Sequence, residues 1–463
     1  MMHERGLFLF HRDLRIQDNT GLLQASRECE KVYTAFIFTP EQVGKLNPYK
    51  SVNSVHYMIE SLSSLAKDIR EAGGSLITLY GKNVSMIRYL IDTLRINCLY
   101  FNADCTPYAI KRDDELAELC DRMGIQCRIH MDYYLQVPGS VVNGSGKMYQ
   151  KFTPFYEAMM KKQVFRVDRY HPKNLASNNQ LLQHRITIAD ALDVFIGNRQ
   201  NPDRLLRGGR DEAVDLVRHA VRHQRHYEDT RDMLSISTSH LSAALKYGTV
   251  SVREVYHSPL KHVSEFIRQL IWRDFFAHIL YAYPESLGKL YFANFRRIPW
   301  SNNQAWLEAW KQGETGFPVV DAGMRELVKT GYMHNRCRMI VAEFLVKTMR
   351  LDWREGERFF AQHLIDYDVA SNSGNWQSIV GGGVYSMPWF RIMNPWIQSA
   401  KYDPDADYIK KWVPELSSVL PKDIHRWNQA CTDEKYKEIE YPKPIVNHEE
   451  QKTRTLALYK RYV

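Results

Sequence analysis

The sequence predicts an N-terminal α/β domain built on a doubly wound parallel sheet, joined by a long linker to an all-α C-terminal domain. Three observations carry this division. β-prone runs alternate with amphipathic stretches across residues 1–130, and residues 131–207 lose that regularity. Helical spacing then dominates residues 208–463, where all ten tryptophans lie, every one after residue 271.

Residues 6–10 and 32–38 are apolar and β-prone, and residues 76–80, 98–101 and 126–129 repeat the pattern. Between them, residues 52–71, 84–94 and 107–123 space apolar side chains as helices do. Strands separated by helices indicate a parallel sheet. Ligands bind beyond the carboxyl ends of such strands, which makes loops 10–15 and 102–107 candidate binding loops. No G-x-G-x-x-G follows the first strand, so a dinucleotide fingerprint is absent. The linker contains the turn-rich VPGSVVNGSGKMY and the polar HPKNLASNNQ, and its Lys161, Lys162, Arg166 and Arg169 suit a solvated face. Beyond it, residues 211–227, 252–256, 263–282, 303–312, 319–329, 336–349 and 353–363 read as helices. No internal repeat is visible.

A chain of 463 residues suggests two to three domains, and 44% hydrophobic with 25% charged residues is ordinary for a soluble globular protein. The net charge of +9 favours an anionic partner, nucleic acid before membrane. Seven scattered cysteines without a C-x-x-C argue for a reducing compartment and against a disulfide framework or thiolate metal site. The N-terminal apolar run is too short for a signal peptide, and no segment approaches a membrane span. The expectation is an intracellular, soluble protein.

Residues 366–376, DYDVASNSGNW, put two carboxylates, two amides, a glycine and a tryptophan in one short segment. Carboxylates and amides can hold the edge of a polar heterocycle, and Trp376 could pass it an electron or simply pack beside it. Thr238-Ser239-His240-Leu241-Ser242 clusters hydroxyls where a helical run starts, as a phosphate site or an N-cap would. Gln269, Trp272, Arg273 and Phe276 share one helix face by spacing. Amide, indole and guanidinium could there bond a base edge, stack on it and hold a phosphate. Core packing would account for Trp272 and Phe276 only. Asn335, Arg338 and Met339 also share a face, and Arg338 could pair with a buried carboxylate such as Asp366 or contact phosphate. Asp215, His219, His223 and His226 superficially resemble a metal site, but Arg218, Arg222 and Arg225 would repel a cation, so no metal is expected. The GGG at 381–383 lacks the lysine of a phosphate loop. Together these features point to a flavin enzyme that works on DNA.

The chain resembles the DNA photolyase and cryptochrome family along almost its whole length. The resemblance runs through FHRDLRIQDNTGL, FNADCTPYAIKRDDE, KMYQKFTPF, STSHLSAALKYGTVSVREV and QLIWRDFF. It continues through GFPVVDAGMRELVKTGYMHNRCRM, LDWREGERFFAQHLIDYDVASNSGNWQ and FRIMNPWIQSAKYDPDADYIKKWVPEL. It implies FAD held in a bent shape by the helical domain. By motif position, Tyr227, Thr238, Ser239, Leu241 and Ser242 would hold its phosphates. Arg338, Asp366, Asp368 and Asn372 would line the isoalloxazine, with the Asn372 amide near N5 favouring the reduced ring. Plant cryptochromes are similar but carry Asp there, and many insect ones Cys. Trp376, Trp353 and Trp300 match the family's electron relay.

The implied partner is UV-damaged DNA and the implied state a monomer. Arg231, Arg273, Arg336 and Arg391 match positions at DNA phosphates; Gln269, Trp272, Asn335 and Met339 match positions at a flipped-out lesion. A second, antenna chromophore (deazaflavin, folate or flavin) is implied near NADCTPY and Arg112. Photolyases for (6-4) photoproducts carry histidines where Asn335 and Met339 stand. Cyclobutane-dimer enzymes match there, but usually have Glu at Gln269 and a stacking Trp at Ser378, where Tyr385 or Trp389 could substitute. The resemblance therefore implies light-driven splitting of cyclobutane pyrimidine dimers, a carbon–carbon lyase reaction. The alternatives are a (6-4) photolyase, a blue-light photoreceptor without repair, and a flavin-free DNA-binding scaffold.

Overall fold

The computed structural model describes residues 2–463 except 179 and 181, two linker positions that lie outside the described residues. Strands β1 (His3–Phe10), β2 (Cys29–Phe38), β3 (Leu76–Tyr80), β4 (Cys98–Asn102) and β5 (Gln126–His130) pair in parallel in the order β3-β2-β1-β4-β5. The strand order reverses between β1 and β4, so loops 10–15 and 102–107 are neighbours at the switch point. β4 is wholly buried and β1 is buried from Gly6 to Phe10, whereas edge strand β5 is largely open.

Helices α1 (Thr20–Glu28), α2 (Val52–Glu71), α3 (Asn83–Leu94) and α4 (Pro107–Met123) make the crossovers. Periodicity did not predict α1, which is only nine residues long and is started by the Asn19 side chain accepting from Leu22 N. Gly21 lets it lie close to the sheet: a Cβ there would meet Asn102 Oδ1 at 2.8 Å and Phe8 at 2.9 Å.

The linker returns along the sheet, with Val32 N donating to Asn174 O, and sends α5 (Phe152–Met160) against the helical part. The helix expected over 211–227 is divided. α6 covers Arg210–His223, Gln224 turns its buried amide to Ser237 O, and a single turn resumes at Tyr227–Thr230. There follow α7 (Ser264–Ala282), α8 (Pro318–Thr330), α9 (Asn335–Glu343), α10 (Trp353–His363), α11 (Val369–Val380), α12 (Pro395–Tyr402) and α13 (His448–Tyr462). The helix expected over 336–349 is α-helical only to Glu343; Phe344–Thr348 is π-helical. The largest core packs Trp310, Phe317, Phe344, Trp353 and Trp376 between these helices.

The sheet and the helical part are joined by buried ion pairs. Arg15 meets Asp132 at 2.5 Å, and Arg253 meets Asp18 at 2.9 Å and Asp132 at 2.8 Å. Among the described residues no helix is long and apolar enough to cross a membrane, and no cluster of metal-ligating side chains forms.

Candidate cofactor and DNA site

Residues far apart in sequence converge on Tyr332. Arg338, one turn into α9, donates through Nη2 to Asp366 Oδ2 at 2.9 Å and through Nε to Met333 O at 2.8 Å. Its guanidinium lies 5.3 Å from the Tyr332 ring centre. The Tyr332 hydroxyl is 3.4 Å from Thr238 Oγ1, and the ring meets His240 edge-on at 4.8 Å. His240 takes a left-handed φ of 53°, which turns the chain into the short helix Ser242–Tyr247. There Leu241 is buried, Ser239 half-buried and Ser242 exposed. Tyr227 packs edge-on against Phe266 at 5.6 Å.

Asp368 caps α11 by accepting from Ser371 N at 3.0 Å. It also meets Arg12 at 3.0 Å, and Arg12 meets Asp104 at 3.2 Å. Loop 10–15 thus reaches the segment 366–376, and loop 102–107 is linked to it through Arg12. Burial opposes its charge, but the Arg12 and Arg273 guanidinia and the Ser371 hydrogen bonds hold the Asp368 carboxyl down at about 2. Burial likewise opposes the charge of Asp366, which Arg338 nevertheless keeps below the usual carboxylate range. Asn372 donates Nδ2 to Glu357 Oε1 at 3.0 Å and Glu357 O at 3.2 Å, which orients the amide with its oxygen away from Glu357.

Asp366 Oδ1, His240 Nδ1 and His334 Nε2 are buried and have no hydrogen-bond partner among the described residues. Each such atom costs about 1–3 kcal/mol, so three in one neighbourhood indicate room for a ligand with a polar edge. Burial pushes His240 and His334 down to about 4, so both are neutral at pH 7. This donor and acceptor set fits a flavin.

Trp376 and Trp353 are each 2% exposed and Trp300 is half-buried, a gradient from core to surface. Trp376 packs on Gly356, one turn after Trp353; a Cβ there would meet the indole at 2.2 Å. Ser301 N donates to Arg350 O at 2.7 Å, so Trp300 adjoins the segment leading into α10. Trp310, fully buried, also approaches Trp376 edge-on at 6.4 Å.

Around the rim, Arg231 pairs with Glu265 at 3.1 Å, and the next residue, Asp232, pairs with Arg336 at 2.8 Å. Arg336 also lies 4.6 Å from the Tyr402 ring centre and 3.8 Å from Met339 Sδ. Gln269, one turn after Glu265, keeps a buried and unpartnered Nε2. Asn335 and Arg391 are exposed and Met339 is half-buried.

Two side chains of the face predicted by helical spacing are engaged within the protein. Arg273 donates to Tyr133 O of the linker at 2.6 Å and to Leu245 O of the helical part at 3.3 Å, so its guanidinium is engaged with backbone carbonyls. Its helix is packed on most sides, and the long side chain follows the available carbonyls rather than the stripe of Gln269. Trp272 stacks face to face on Phe152 at 3.5 Å, which closes that face to a base. Ser378 is buried. Of the two substitute aromatics, Tyr385 meets Trp272 edge-on at 5.2 Å, while Trp389 stacks on Tyr459 at 6.0 Å.

Sequence reasoning assigned no role to Arg12, Tyr332, Glu357 or His240. The loop carrying Arg12 was recognisable as a binding loop; the contacts of the other three depend on long-range packing.

A parallel-sheet unit joined to a helical body with a cluster of orphaned buried polar atoms fits a protein that binds a polar heterocycle such as a flavin. A profile described as DNA photolyase matches residues 6–173, and one described as FAD binding domain of DNA photolyase matches residues 266–461. A Buchnera aphidicola protein named Deoxyribodipyrimidine photo-lyase is 34% identical, with 98% of each chain covered. The crystal structure of an archaeal photolyase from Sulfolobus tokodaii with two FAD molecules has a TM-score of 0.88 and 38% identity, covering 99% of this chain and 100% of that one. A Synechocystis cryptochrome has a TM-score of 0.88 and 26% identity, with the same coverage. The chain belongs to the DNA photolyase family of enzymes, and its helical part carries the family's FAD-binding domain.

Proposed function

We propose that this protein repairs cyclobutane pyrimidine dimers in DNA under blue light. The carrying observation is the face of α9. Asn335 is exposed there and Met339 half-buried, and the adjacent His334 is buried, caps α9 by accepting from Arg336 N, and is held neutral by burial. A (6-4) lesion needs an imidazole acid, and this face offers an amide and a thioether. The relatives named Deoxyribodipyrimidine photo-lyase support the same reading.

Bound and reduced FAD supplies a light-excited electron donor. In this reading Tyr227, Thr238, Ser239, Leu241 and Ser242 hold its phosphates. Arg338, Asp366 and Asp368 hold the polar edge of the ring. The Asn372 oxygen, oriented by Glu357, accepts a ring N–H and favours the reduced form. Trp376, Trp353 and Trp300 carry electrons inward from the surface. Gln269 and Asn335 bond the flipped-out bases, with Met339, Tyr385 and the open part of Trp272 walling the pocket. Arg391 meets phosphate directly, whereas Arg231 and Arg336 exchange Glu265 and Asp232 for phosphate as the duplex docks. The protein acts as a monomer divided at residues 131 and 208, and a second chromophore sits near NADCTPY and Arg112. The two FAD molecules of the Sulfolobus structure favour a flavin there.

The likeness to the Synechocystis cryptochrome favours a second reading, a photoreceptor without repair. One assay separates them. Pre-reduced protein is illuminated with an oligonucleotide carrying one cyclobutane thymine dimer, beside a dark control. Light-dependent recovery of intact thymines is expected. No recovery with flavin bound and reduced would overturn the proposal, and the (6-4) lesion would then be tried.

A further inference from the structure

The loop between α11 and α12 is gripped from beneath by two buried ionisable side chains. Glu343 ends α9, is 2% exposed, and accepts a hydrogen bond from Met393 N at 2.9 Å. Lys347 lies in the π-helical turn, is 1% exposed, and donates Nζ to Arg391 O at 2.9 Å. An acid and a base, one turn apart, thus close on the two ends of one tripeptide, and burial pushes the Glu343 carboxyl up to about 7 and the Lys347 amine down. Around them the core is apolar, with Phe344 and Val346 fully buried. Charges in such surroundings are strongly unfavourable unless they are paired or hydrogen-bonded, and an apolar pair would fill the space as stably. Their placement is better explained by what they hold.

The rest of the clamp comes from α13. Thr455 Oγ1 donates to Lys347 O at 2.6 Å, and the Tyr459 ring stacks on Trp389 at 6.0 Å. Above this base the chain turns outward: Phe390 is 63% exposed and Arg391 is exposed too. π-Helical turns recur at functional sites, and this one brings Lys347 under the Arg391 carbonyl.

We propose that Glu343 and Lys347 are positioning residues for DNA binding, which fix the backbone of residues 391–393 so that Phe390 and Arg391 are presented to the damaged duplex. The inference rests on the reading of Arg391 as a phosphate contact.

The test uses the full chain with flavin bound. Lesion-duplex affinity is measured at two salt concentrations for E343L, K347M, R391A and the double variant E343L/R391A. Tryptic cleavage after Arg391 reports loop order without DNA. E343L and K347M are each expected to weaken binding about tenfold and to speed that cleavage. E343Q keeps an acceptor for Met393 N and is expected to bind as the parent does. Photoreduction of the flavin is expected to be unchanged in all of these. In the R391A background E343L should add less than it costs alone, because the Arg391 share of its effect is already gone and only the Phe390 share is left. A fully additive loss, or cleavage as slow as in the parent protein, would overturn the proposal. K347M provides the same two readouts should E343L fold poorly. R391A binding with undiminished affinity and salt dependence would instead remove the phosphate reading of Arg391, and the proposal with it. Faster cleavage in E343L would then show only that the loop is held.

Discussion

Two groups of buried arginine–aspartate pairs differ in how completely they are satisfied. Where the sheet meets the helical part, Asp132 Oδ1 accepts from Thr20 N, Thr20 Oγ1 and Arg253 Nη2, and its Oδ2 accepts from Arg15 Nη2. Asp18 likewise uses both oxygens, toward Asp168 N, Ser251 Oγ and Arg253 Nε. Around Tyr332, Asp366 gives one oxygen to Arg338 and the other has no partner among the described residues. The chemistry is the same, but in the first group every carboxylate oxygen is filled within the protein, and only Arg15 Nε lacks a partner among the described residues. A completed network locks one arrangement of the chain, whereas an incomplete one is a place for another molecule's polar edge.

The largest expected effect breaks the complete group. Asp132→Asn leaves Arg15 and Arg253 buried beside a neutral amide and should cost about 3–5 kcal/mol in urea unfolding. A loss below about 1 kcal/mol would mean that the junction is not a lock. The same group gives a pH signature. Burial opposes the charge of Asp132, but Arg15 and Arg253 hold its folded pKa below the unfolded value. Its stabilisation is therefore present above about pH 4 and lost as pH falls further. Melting curves should show the parent losing its advantage over Asp132→Asn in that acid range, and parallel curves would argue against it.

Asp366→Asn tests the incomplete group. Flavin affinity should fall by about 1.5–3 kcal/mol, with a smaller loss of fold stability than Asp132→Asn. Titration of flavin-free protein reads the first quantity, and equal stability losses would erase the contrast. Trp376→Phe should slow photoreduction of oxidised flavin at least about tenfold, near 1.4 kcal/mol, yet spare repair by pre-reduced protein. Unchanged photoreduction would shift attention to Trp310 as the flavin-side carrier. Asn335→Ala should weaken lesion binding by about 1 kcal/mol while flavin content stays at the parent level. Parallel loss of both would place Asn335 in the cofactor cavity instead of the lesion face.

The alternation of strand and helix was legible because each period is set by a few neighbouring residues. That legibility failed where the signal was short, as in α1, or where tertiary contacts overrode it, as at Gln224 and at the π-helical turn after Glu343. In the site, residue chemistry was enough to suggest that Arg338 could meet Asp366, and the pair forms. Spacing was not enough to direct Arg273 or to keep Trp272 open, because a long or broad side chain turns toward whatever carbonyls and rings the rest of the fold supplies.

By itself the sequence determined the two-part architecture, the family and the kind of ligand, since periodicity, composition and motif chemistry are carried by local runs of residues. Tertiary structure alone decided which buried charges are complete and which await a partner. Asp132 and Asp366 are both aspartates beside arginines, and only the packing of segments more than a hundred residues apart fills every acceptor of the first.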